Sequence, residues 1–386
     1  MDREYLRTHP WLTFSIDATR FSHEIWLLLG AAQSKCLHIA GVPLDDEHAN
    51  TLYKVYLIKG VKATTAIEGN SLTEKQIQDI LDKNSTIPPS RAYQEQEVKN
   101  IIDAYEQIVN DQVYSNASDK ITKEEICKFN SMVLKDLELQ DFIEPGNIRK
   151  HSVLVGRYRG APAEDCEYLL SKLCETINQI TIGEKWQFAS GILKAIITHV
   201  YLAWIHPFGD GNGRTARLME VKICAANGIP KPACQLLSNF YNLTRDKYYL
   251  ELEKASKSDS SIYGFISYAL TGLLDMLDEQ IAIIRDYQIQ STWENTVHKV
   301  LHGNTQAFER RRHLALELYK NKNPVQKSEI HLLTPKLAEL YSNSTTKTLS
   351  RDLSVLQEKG FIIIENRRIQ INLNKILAWL PARRLV

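Results

Sequence analysis

An apolar run from residue 189 to 205 stops abruptly at His206-Pro207, and good helix formers resume only after Arg214. Proline removes a backbone donor and crowds the residue before it, so a helix through the run has to end near His206. Lys194, Thr198 and His199 interrupt the run, which makes it a buried core helix and not a membrane span. The stretch between, HPFGDGNGRTAR (206–217), therefore reads as a helix end, a tight loop and a new helix start.

Helical spacing recurs through most of the chain. Val98, Ile101, Ile102, Tyr105, Ile108 and Val109 form one apolar stripe. Thr122 and Glu125 have capping-box spacing, with Ile126, Phe129 and Val133 continuing as the buried face. Residues 144–163 break the pattern with glycines, prolines and the β-branched Val153 and Val155, and read as a short hairpin. Near residue 306 a third region opens: three helical candidates followed by FIIIENRRIQINL, which alternates like a two-stranded wing. Leu349, Leu353 and Leu356 would face its core, leaving Lys347, Thr348 and Arg351 outward, a pattern that suits a winged helix-turn-helix.

At 386 residues the chain is long enough for two or three folded units, and 44% hydrophobic with 24% charged residues is ordinary globular composition. Cys36, Cys127, Cys166, Cys174, Cys224 and Cys234 include no C-x-x-C pair and read as reduced thiols. The N-terminus is charged from its second residue, so export is not expected and the reading is cytoplasmic, with no membrane partner. The net charge of +1 hides a polarity. Residues 306–386 hold 15 Lys+Arg against 7 Asp+Glu, leaving 32 basic against 39 acidic upstream, which points the C-terminal part toward a polyanion such as DNA.

Chemistry concentrates in residues 206–217. Gly211 and Gly213 flank Asn212 and can turn successive N–H groups toward one point at a helix N-terminus, a nest for phosphate. Arg214 and Arg217, three apart, project from one helix face and can clamp phosphate oxygens. Asp210 is a hard oxygen ligand for Mg²⁺ beside them, and His206 has a side chain suited to taking a proton from an attacking hydroxyl. A P-loop is excluded because no lysine follows the glycines, and an EF-hand because its twelfth position would be an arginine.

The stretch matches the HPF-x-[DE]-GNGR-x-x-R motif and resembles the Fic-domain proteins. The resemblance implies a mainly α fold: a Fic helical core with a β-hairpin flap, preceded by an N-terminal helical region and followed by the winged helix-turn-helix. The expected divisions are 1–95, 96–305 and 306–386. It implies transfer of AMP from ATP to a Tyr, Thr or Ser hydroxyl of a target protein, with pyrophosphate released. His206 would be the general base, Asp210 the Mg²⁺ ligand, Phe208 a core anchor, Gly211, Asn212 and Gly213 the phosphate loop, and Arg214 and Arg217 the phosphate-contacting arginines. Ser152, Val153, Leu154, Val155 and Gly156 would form the flap that docks the target.

Downstream, TRDKYYLELEKAS is similar to the family's R-x-x-YY stretch, whose second tyrosine, here Tyr249, lines the adenine pocket; Ser256 replaces an asparagine common in the family. Upstream, TTAIEGN (64–70) matches the inhibitory pattern [ST]-x-x-x-E-[GN], with Glu68 as the acid that would pair with Arg217. Self-modification, removal of AMP from modified protein and homodimerisation are left open. The alternative reading is a DNA-binding regulator in which the Fic core senses nucleotide.

Overall fold

The computed structural model describes all residues except 1, 2, 45, 115–117, 119, 157, 259, 260, 322, 343 and 378–386. The chain divides into two compact units, Met1–Ile281 and Ala282–Val386. The first is helical apart from one hairpin.

At its centre lies the helix Gln187–Ile205, buried on nearly every side, as its all-round apolar sequence requires. By length and composition Glu184–Ile205 could cross a bilayer, but 89% of its most apolar window is buried in protein, so it is the core helix anticipated from the sequence. Helices His23–Ala40, Cys166–Gln179 and Asn212–Ala226 pack around it, and Lys123–Val133 and Ala92–Tyr114 pack against the last of these. Asp46–Ile67 lies over Leu236–Leu243 and also reaches Asn212–Ala226. Glu68 follows directly on the end of Asp46–Ile67.

The capping box expected at Thr122 forms only in half. Thr122 accepts from the Glu125 N–H at 3.1 Å, but the Glu125 carboxylate pairs with Lys222 at 3.0 Å instead of returning to the cap. A charge-assisted partner outcompetes a neutral backbone donor. A complete box occurs at Thr73 and Gln76.

The hairpin pairs Leu154–Val155 with Tyr158–Arg159. Its base is tied to the core where the Tyr158 hydroxyl donates to the Trp204 carbonyl at 2.7 Å.

The second unit contains helices Gln306–Asn321, Pro335–Ser342 and Thr346–Glu358 and an antiparallel sheet in which Arg368–Ile371 lies between Val325–Gln326 and Ile362–Glu365. The strand at Val325 was not legible because it is two residues long. Asn366 and Arg367, both at positive φ, make the two-residue turn between the longer strands, the geometry that suits strand twist. Trp293, Leu314, Leu318, Leu353, Leu356, Phe361 and Ile369 form the core. Because Trp293, Val297 and Leu301 belong to it, this unit begins upstream of residue 306.

Candidate active site

His206 takes a left-handed backbone conformation (φ 52°, ψ 58°), ending the central helix in the first residue that cannot continue it. Arg149 holds that geometry. Its buried guanidinium donates to the carbonyls of His206 (2.7 Å), His151 (2.6 Å) and Ala161 (2.5 Å), tying the loop that begins at His206 to both legs of the hairpin. Asn212 closes the loop from the other side: its side-chain amide donates to the Phe208 carbonyl and accepts from the Phe208 N–H, both at 2.9 Å. Phe208 itself is buried in the core.

Gly211 caps the next helix at φ 76°, as its predicted freedom requires. Gly213 does not take a positive φ: it lies within the first helical turn, and glycine is needed there for space, because an added Cβ would collide with the Glu68 carboxylate. Asn130 underpins the turn, donating to the Asp210 carbonyl at 2.9 Å and accepting from Gly146 N–H. The Asp210 carboxylate accepts from Gly211 N–H at 2.5 Å and from Arg214 at 3.3 Å, and it remains 39% exposed.

The two arginines are buried and carboxylate-bound. Arg214 pairs with Glu97 at 2.5 Å. Arg217 is held by a single turn of helix and the residue after it: Nε donates to Thr64 Oγ1 at 2.8 Å, and Nη2 donates to the Thr64 carbonyl at 3.1 Å and to Glu68 at 2.5 Å. Burial alone would raise the Glu68 carboxyl, but the charge and hydrogen bond of Arg217 hold it below the ordinary carboxylate range. Burial drives the imidazole the other way, lowering His206 to about 4 despite a ring hydrogen bond to the Ala203 carbonyl. At neutral pH the ring is uncharged, and the nitrogen that does not bond Ala203 has the lone pair with which a neutral imidazole accepts a proton.

Tyr249 is half-exposed, and its hydroxyl donates to the Ile67 carbonyl at 3.2 Å, beside Arg245 at 2.6 Å. It thus stands against the end of the helix that leads into Glu68. Ser256 uses its hydroxyl on the Glu253 carbonyl at a helix end. Ser152, Leu154, Val155 and Gly156 are exposed on the hairpin and Val153 half-buried. A cleft of about 530 Å³ lined by Ile143, Asn147, Lys150, His151 and Gly209 adjoins the loop. Sequence reasoning missed Glu97, Asn130 and Arg149. The first two sit within apolar helical stripes, at four residues from Ile101 and Ile126, and a polar residue on such a face is the signal that could have found them.

Residues 120–224, which contain this loop and both arginines, match the Fic/DOC family. The chain carries a Fic domain. It is 32% identical over 196 residues to protein adenylyltransferase fic-1 of Caenorhabditis elegans, a match covering 51% of this chain and 36% of that protein. Protein adenylyltransferase Fic of Nematostella vectensis is 28% identical over 196 residues, 51% of this chain and 42% of that one. The match therefore spans less than half the length of these curated relatives. Among solved structures, a Fic family protein from Desulfovibrio desulfuricans G20 superposes with a TM-score of 0.55 at 19% identity, over 91% of this chain and 96% of that one. Fic-1 of C. elegans gives 0.51 at 24% identity, over 67% and 71%. These likenesses concern the fold, and the Fic domain supplies its helical centre.

Proposed function

We propose that this protein is an autoinhibited protein adenylyltransferase, moving AMP from ATP to a hydroxyl side chain of a target protein. The observation that carries the reading is the Glu68–Arg217 contact at the first turn of a glycine-opened helix, with a neutral imidazole at the other end of the same loop.

In this reading the triphosphate lies on the N–H groups that follow Asp210, with Arg214 and Arg217 on its oxygens. Mg²⁺ fits the site's donor set: such ions are commonly held by one or two carboxylates together with substrate phosphates, and Asp210 offers one partly exposed carboxylate. It would supply charge neutralisation of the phosphates. The target hydroxyl gives its proton to His206 while its oxygen bonds the α-phosphorus, and the bond from that phosphorus to the bridging oxygen breaks to release pyrophosphate. The exposed Leu154 and Val155 of the hairpin, beside the loop, suit the docking of an extended target segment.

Glu68 competes for Arg217 with the terminal phosphate. A hydrogen bond to a charged group contributes about 1.5–3 kcal/mol, which restrains transfer by about one to two orders of magnitude. Thr64 still holds Arg217 when Glu68 is removed, so the arginine stays aimed. Glu68→Gly is expected to raise incorporation from ATP labelled at the α-phosphorus by about 10- to 100-fold, with none from the γ label. Equal labelling of variant and parent would remove the restraint from the account.

For the second unit we infer a winged helix-turn-helix that binds DNA. Lys347 and Arg351 are exposed on Thr346–Glu358, and Arg367 and Arg368 on the hairpin. All six cysteines are free, which supports a reducing, cytoplasmic setting.

A further inference from the structure

Glu97 belongs to no motif in the sequence, yet it touches both halves of the regulated site. It is 5% exposed, on the helix Ala92–Tyr114. One carboxylate oxygen accepts from Arg214 Nη1 at 2.5 Å and the other from Asn70 Nδ2 at 3.0 Å. Asn70 stands two residues after Glu68. Its own N–H returns to the Thr65 carbonyl (3.1 Å), its Nδ2 also donates to the Gln94 carbonyl (2.9 Å), and its Oδ1 accepts from Leu72 N–H (3.0 Å). These contacts fix which end of the amide faces Glu97, and they close the turn at Gly69, which has φ 101°.

A buried ion pair contributes little net stability compared with apolar packing of the same volume. The pair is therefore better explained by what it places. We propose that Glu97 is a two-sided positioning residue: one oxygen seats Arg214 for the nucleotide, and the other, through Asn70, pins the turn that aims Glu68 at Arg217. This deepens the adenylyltransferase reading and rests on it. Both partners are donors, so the position demands a group that only accepts. Glutamine, of equal size, would present a donor to one of them and break that side. Among the described residues the buried Nε of Arg214 has no hydrogen-bond partner, and the guanidinium is oriented by Glu97, by the longer Asp210 contact and by the hydroxyl of Tyr93.

Two arms test this in the full-length protein. Asn70→Ala should raise α-labelled AMP transfer by about 3- to 10-fold in the parent and leave it unchanged when Glu68→Gly is already present, because the turn then aims nothing. Glu97→Gln in the Glu68→Gly background should raise KM for ATP by about 10-fold with a much smaller change in kcat, and calorimetry should show the same loss of ATP affinity. A similar rise from Asn70→Ala in both backgrounds, or no rise in the parent, overturns the tether. An unchanged KM and affinity in Glu97→Gln overturns the seating. Either failure leaves the activity itself standing, whereas a Glu68→Gly protein that transfers nothing overturns the activity and this inference together. Should Glu97→Gln melt well below its parent, the Asn70 arm decides alone.

Discussion

At the scale of single residues, the decisive group is His206. A histidine lowered to about 4 is neutral throughout the physiological range, so its proton-accepting form is present without help from pH. In the Glu68→Gly background, transfer is therefore expected to lack the limb near pH 6.5 that an ordinary histidine base imposes, and to fall only as the pH approaches about 4. The sign for stability is separate. Between pH 6.5 and about 4 the unfolded chain binds a proton that the folded ring refuses, so stability is fully present above that window and lost as pH falls through it. A pH–rate profile with a midpoint at 6.5 would contradict this environment. His206→Ala should lose transfer and keep ATP binding by calorimetry. The loop was legible from sequence because its chemistry is local: a proline, three glycines and two arginines within twelve positions. Glu97 and Arg149 act across the fold, 117 residues from Arg214 and 57 from His206, and no local pattern announces such partners.

At the scale of elements, the hairpin and the loop after His206 are joined by one guanidinium, that of Arg149. Arg149 satisfies three carbonyls that would otherwise be buried acceptors, each costing about 1–3 kcal/mol if left unpaired. Arg149→Met keeps most of the volume and removes the donors. It is expected to lower the midpoint of chemical denaturation of the first unit by an amount equivalent to at least about 2 kcal/mol and to increase amide exchange over 151–161 and 206–208. Unaltered exchange at both segments would show that Asn212, Asn130 and the backbone bond from Arg149 to Pro207 hold the loop without the guanidinium. The helices read from apolar periodicity at 98–109, 122–133 and 189–205 lie within Ala92–Tyr114, Lys123–Val133 with its cap, and Gln187–Ile205. Cap chemistry was less legible: Thr122 kept its own bond but lost Glu125 to Lys222, a competitor that lies 97 residues away in sequence.

At the scale of the whole molecule, the two units carry opposite electrical characters and separate cores. The long helix Ile262–Val300 gives Phe265 and Ile266 to the first unit and Trp293 and Val297 to the core of the second. This explains why a division placed by composition fell later in the chain than the physical one: the charge changes near residue 306, but the packing changes before it. With Lys347, Arg351, Arg367 and Arg368 exposed, the full chain is expected to shift duplex DNA at low salt. Its affinity should fall steeply as salt rises, with a log–log slope of roughly −3 to −4 if those four groups meet phosphates. A slope near zero would assign the basic face to a protein partner. One consequence follows from the missing Cβ at Gly213. The carboxylate of Glu68 occupies space that any larger residue would fill, directly over the backbone on which the nucleotide is proposed to rest. On the proposed reading, brake and substrate would draw on one small volume, and a side chain added at position 213 would displace the Glu68 carboxylate from it in the same substitution.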